Sequence, residues 1–137
     1  MQEELDNPGL RWHGHFGSDL PDDRQDSSSS PGSALRDILH HIELAASFSA
    51  GFDRDAFRRD IKTVYAVTRC LEIISEASRR LPDDLKARHP DIGWKQIAGA
   101  GNVYRHDYED VAAEFVWETV ARALPPFRAV IESELRS

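Results

Sequence analysis

From residue 33 onward the apolar positions recur at helical spacing. Leu35, Ile38, Leu39, Ile42, Ala45, Ala46 and Ser49 fall on one face at intervals of three and four, Ser33 is placed to cap them, and Gly51 closes the run. Asp53 then opens a second and longer segment whose apolar face reads Phe57, Ile61, Val64, Val67, Leu71, Ile74, Ala77 and Leu81 before Pro82 stops it. Read as one unbroken helix, that segment is about 42 Å long at about 1.5 Å per residue, enough to form the spine of a bundle.

The next stretch is interrupted by Pro82, Pro90, Gly93, Gly99 and Gly101, so it accommodates short helices at 83–88 and 94–100 with irregular backbone between and after them. A final amphipathic run follows: Val111, Phe115, Val116, Val120, Leu124, Phe127, Val130, Ile131 and Leu135. Pro125 and Pro126 must bend or restart it, since proline removes a backbone donor and crowds the preceding turn. No stretch alternates with the period of two that a strand requires. The pattern therefore predicts an all-α fold, a helical bundle of two or three long helices plus short connecting ones, with apolar faces broad enough to dimerise.

Residues 1–32 break this regularity. They carry Pro8, Gly14, Gly17, Pro21, the run Ser27 to Ser30, Pro31 and Gly32, with little apolar content, and are expected to form a disordered tail ahead of a helical domain at 33–137. Trp12, His13, His15 and Phe16 make a small aromatic island there, readable as a docking patch or simply as part of a solvated tail.

Charge changes the picture in one respect. The whole chain is −7, but residues 1–32 hold seven acidic and two basic side chains, so the helical part is near neutral and lacks the broad basic surface of a duplex-DNA binder. The single cysteine, Cys70, excludes a disulfide scaffold and a thiolate metal site, and is expected to pack as a small hydrophobe. No metal and no cofactor is expected. Without a secretory signal pattern or an apolar run of membrane-spanning length, the expectation is a cytoplasmic protein with no membrane partner.

Candidate chemistry is concentrated in Gly101-Asn102-Val103-Tyr104-Arg105-His106-Asp107-Tyr108. A histidine titrates near neutrality and suits general acid–base work, and an arginine offers a planar fork of donors to a phosphate. Together they are a minimal kit for RNA cleavage without a metal, in which a base takes the 2′-OH proton and a cation steadies the charged phosphorane. The same residues also read as a polar helix end with a solvated histidine. On the residues alone both readings stand.

Several patterns occur together and in order: Asp60-Ile61-Lys62-Thr63-Val64-Tyr65-Ala66-Val67, Arg69-Cys70-Leu71-Glu72-Ile73-Ile74-Ser75-Glu76-Ala77, Leu81-Pro82, His89-Pro90-Asp91-Ile92-Gly93-Trp94, Ile97-Ala98-Gly99, Asn102 with His106-Asp107-Tyr108, and Val116-Trp117 before Leu124-Pro125. Through them the chain from about Leu35 to Leu135 resembles the HepT-like branch of the HEPN superfamily. The resemblance implies a dimeric, metal-independent endoribonuclease acting on tRNA or mRNA, the toxin of a toxin–antitoxin system. Its motif is an arginine, a gap of four to six residues, a histidine, one residue and a tyrosine. Here His106 and Tyr108 match the second half, while Gly101 stands where the arginine is expected, leaving Arg105 as a candidate replacement.

The resemblance also implies a cognate antitoxin, a MntA-type minimal nucleotidyltransferase that attaches AMP to the motif tyrosine, here Tyr108. It places Asn102, Arg69 and Glu76 in the cleft or against phosphate; for the two charges on the long helix, a surface ion pair is the simpler role. The alternative function is a catalytically degenerate HEPN interaction module that binds a nucleotidyltransferase. Tyr104, Trp94 and Trp117 are expected to pack, the tryptophans in the core or at a dimer interface, and His40 and His41 to be solvated.

Overall fold

The computed structural model describes residues 30–106 and 109–137, with the backbone alone for residues 101–106 and 109–111. Seven α-helices run through the described residues: α1 (Pro31–Ser49), α2 (Arg54–Arg59), α3 (Ile61–Arg79), α4 (Asp83–Ala87), α5 (Trp94–His106), α6 (Glu109–Glu118) and α7 (Leu124–Arg136), with a π-helical turn at Thr119–Ala123 between the last two. No strand occurs among the described residues, so the fold is all-α.

Helix α1 starts earlier than its apolar pattern indicates. The side chain of Ser30, not Ser33, is the cap, accepting from the Ser33 amide at 3.1 Å. Pro31 sits in the first turn, where a missing amide hydrogen leaves no bond unmade. The other end is as expected: Gly51, with φ of +84°, turns the chain in the left-handed region that a side chain disfavours.

The single long helix expected after Asp53 is two helices. Asp53 does cap α2, accepting from the Ala56 amide at 2.8 Å. Asp60 then leaves helical geometry and caps α3 by accepting from the Thr63 amide at 3.2 Å. A short carboxylate competes well for backbone donors, which is why it interrupts a helix whose apolar periodicity continues across it. The break resets the register. Phe57 before it and Val64 and Val67 after it are core residues, whereas Ile61, expected on the buried face, is 51% exposed.

The spine of the bundle is α1 against α3. They run antiparallel, as the pairing of Arg80, just past the end of α3, with Asp37 near the start of α1 shows. Helix α7 packs on α1, and α5 and α6 on α3. The core they enclose is aliphatic with two large aromatic contributors, Phe57 and Phe127. Trp117 lies 5.4 Å from Phe57 between ring centroids, and Trp94 meets Phe127 edge-on at 5.7 Å, so both tryptophans are core anchors. Cys70 is buried, and burial pushes its thiol pKa up, consistent with packing.

The expected disturbance at Pro125 and Pro126 takes the form of the widened turn at Thr119–Ala123, after which both prolines occupy the first turn of α7. One extra residue per turn makes room for the rings without breaking the chain direction.

Candidate active site

The site is built on α5, which is held at three points. Trp94 Nε1 donates to the carbonyls of Lys86 and His89, each at 3.1 Å, and ties the start of α5 to α4 and the loop that follows it. Ile97 packs against the core. One residue on, the Ala98 carbonyl accepts from Ser75 Oγ at 2.8 Å and from Arg79 Nη2 at 2.6 Å, both on α3.

Past these anchors α5 continues as a helix to His106, whereas the glycines predict irregular backbone after residue 100. The candidate residues thus stand in helical register. Asn102 and His106 are four apart and share one face. Gly101 and Arg105 are likewise four apart and share a face, rotated from the first by about 100°. Asp107 and Tyr108 lie outside the described residues, and with them the expected modification site.

Of the residues expected to line the cleft, Arg69 is 71% exposed at its side chain and pairs with Glu72 on its own helix at 3.2 Å. Glu76 is 62% exposed and pairs with Arg79 at 2.9 Å, which connects it through that guanidinium to Ala98 of α5. His41 Nδ1 lies 2.8 Å from the Asp37 carbonyl on the surface of α1, and the rings of His40 and His41 meet edge-on.

One cluster lay beyond sequence reasoning. Glu134 on α7 receives Arg88 Nη2 at 2.9 Å and lies 2.6 Å from His89 Nε2. These hydrogen bonds, Arg88 first and His89 second, pull the Glu134 carboxyl from 4.5 to about 2. Arg88 and His89 line a 580 Å³ cavity together with Ile97 of α5 and Pro126, Phe127 and Val130 of α7. His89-Pro90-Asp91 was visible as a local pattern, but nothing in local spacing joins it to Glu134. Among the described residues no three His, Cys, Asp or Glu side chains are arranged to hold a metal ion, and no helix is long and apolar enough to cross a membrane.

The described residues form an all-helical bundle in which α5, carrying Asn102 and His106, is held to α3, the class of fold expected of a HEPN-type domain. The family model described as Ribonuclease HepT-like matches residues 38–134, and the chain belongs to that family. Relatives agree with this. A Thermococcus cleftensis protein named "Probable ribonuclease HepT" is 38% identical over 98 residues, covering 72% of this chain and 89% of that protein. A Methanocaldococcus jannaschii protein named as a "Putative RNase" is 32% identical over 102 residues, 74% of this chain and 88% of that protein. A third, from Caldanaerobacter subterraneus and also named as a "Putative RNase", is 30% identical over 107 residues, 78% and 96% respectively. No solved structure matches the chain.

Proposed function

We propose that this protein is a metal-independent endoribonuclease and the toxin half of a toxin–antitoxin pair. The observation that carries the reading is the placement of Asn102 and His106 one turn apart at the end of α5, in a chain that belongs to the HepT-like family. His106 acts as the base that removes the 2′-OH proton from RNA, the 2′-oxygen attacks the adjacent phosphorus and the 5′-oxygen leaves, and an arginine stabilises the negative charge on the phosphoryl oxygens. Arg105 is that arginine. Its position lies one turn beyond Gly101 on the same helical face, and glycine brings no side chain to compete for it.

Silencing belongs to the same reading. A nucleotidyltransferase antitoxin transfers AMP from ATP to Tyr108, two residues from His106, the phenol oxygen displacing pyrophosphate at the α-phosphorus, and the bulky anionic adduct blocks the cleft and repels an RNA phosphate. The active species is a homodimer. Support for a second copy comes from Ile61 and Tyr65, exposed large residues four apart and so on one face of α3.

The test is cleavage of tRNA and mRNA by antitoxin-free protein in EDTA, beside His106→Ala. Cleavage by the parent and its loss in the variant is the expected result; equal behaviour of the two overturns the reading. The second reading, a non-catalytic module that binds a nucleotidyltransferase, is favoured by Gly101 at the arginine position. Under it neither protein cleaves, while both capture the nucleotidyltransferase.

A further inference from the structure

Two side chains of α3 converge on one backbone carbonyl of α5. Ser75 Oγ donates to the Ala98 oxygen at 2.8 Å, Arg79 Nη2 donates to the same oxygen at 2.6 Å, and that guanidinium nitrogen lies 3.5 Å from Ser75 Oγ. Arg79 is steadied in turn by Glu76 at 2.9 Å, and Ser75 is only 2% exposed. A carbonyl inside a helix ordinarily serves the amide four residues on, so donors arriving from a neighbouring helix are additional to the ladder.

Helix α5 needs such a hold. Gly99 follows Ala98 directly and Gly101 comes two residues later, each about 1 kcal/mol less favourable than alanine inside a helix. Among the described residues a Cβ at Gly99 would meet nothing within 4 Å, so none of their side chains packs against that side of the turn.

We propose that Ser75 and Arg79 are positioning residues whose shared grip on Ala98 sets the tilt and rotation of the end of α5, and with them the placement of His106. The proposal rests on the ribonuclease reading. From Ala98 to His106 the helix rises about 12 Å at about 1.5 Å per residue. A tilt of roughly 5° about the gripped carbonyl therefore moves the far end by about 1 Å, a displacement that costs on the order of 10²-fold in rate when reacting groups must meet within hydrogen-bond reach.

The test compares full-length Ser75→Ala, Arg79→Gln and Arg79→Lys with the parent and with His106→Ala, by steady-state RNA cleavage and by backbone amide exchange. Ser75→Ala and Arg79→Gln are expected to lower kcat about 10- to 100-fold with KM changed less than about threefold. Exchange should quicken about tenfold or more over residues 99–106 and stay unchanged in α1. Arg79→Lys, which keeps a charged donor, should recover part of both effects. Exchange over 99–106 that does not change overturns the proposal, as does local loosening with kcat intact. So does loosening spread evenly through α1 and α3, the mark of a merely structural role. Should parent cleavage prove independent of His106, the ribonuclease reading falls by that control, and positioning for catalysis falls with it; local exchange then shows only whether the grip on α5 is real.

Discussion

The imidazole Nε2 of His89 lies 2.6 Å from the carboxylate of Glu134, a residue 45 positions further along the chain. With Arg88 on the other carboxylate oxygen at 2.9 Å, the pair fastens the last helix to the loop that leads into α5. Because the folded Glu134 carboxyl sits at about 2 rather than 4.5, its contribution to stability is fully present above pH 4.5 and is lost as pH falls toward 2. Glu134→Gln should lower Tm at pH 7 by roughly 4–10 °C, the effect of removing one partner of a charge-assisted cluster. Melting curves followed by circular dichroism should show the gap between the two proteins narrowing from pH 4.5 downward. A gap that is constant or widens there contradicts the assignment.

The break at Asp60 makes opposite forecasts for two neighbours. Val64 is core and Ile61 is half exposed, although an unbroken helix puts both on one buried face. Val64→Ala should cost about 2 kcal/mol and Ile61→Ala under about 1 kcal/mol in urea unfolding at dilute concentration. Equal losses would mean that the helix runs straight through Asp60.

Phe57 is fully buried between Phe52 and Trp117. Phe57→Ala should destabilise by about 3–5 kcal/mol, the usual cost of removing a core aromatic. Trp117 emission should shift to the red as its packing partner is lost. A loss below about 1 kcal/mol would show that α2 does not belong to the core.

The cap at Ser30 separates two truncations that differ by three residues. A chain beginning at Ser30 keeps the side chain that receives the Ser33 amide, and one beginning at Ser33 does not. The shorter chain should be less stable by about 1 kcal/mol, several degrees in Tm. Ser30→Ala in the full chain should reproduce the difference; failure to do so would move the helix start.

Under the proposed function, Gly101→Arg restores an arginine five residues before His106. Cleavage should rise by up to about 10²–10³-fold, the usual worth of one preorganised charge-stabilising donor. Toxicity in cells without the nucleotidyltransferase should rise with it, and neither gain should appear when His106→Ala is combined with the change. No gain in the single variant would favour the binding-module reading.

How much of this was legible in the chain depends on the range of the forces involved. Helix α1, the left-handed turn at Gly51, the Asp53 cap and the all-α class follow from neighbours within four residues, because apolar spacing, caps and positive φ are local properties. The candidate site residues Asn102, Arg105 and His106 could be singled out in the same way, as types and spacings. Their setting was not. The apolar periodicity carries straight across Asp60 as one long helix, and only the competition between its carboxylate and the backbone ladder makes the break. Gly99 and Gly101 read as the end of a helix, yet α5 runs through them to His106, its Ala98 carbonyl held by Ser75 and Arg79 some twenty residues back. Tertiary structure alone supplied that hold and the junction of His89 with Glu134, since a hydrogen bond between distant segments leaves no periodic trace in either of them.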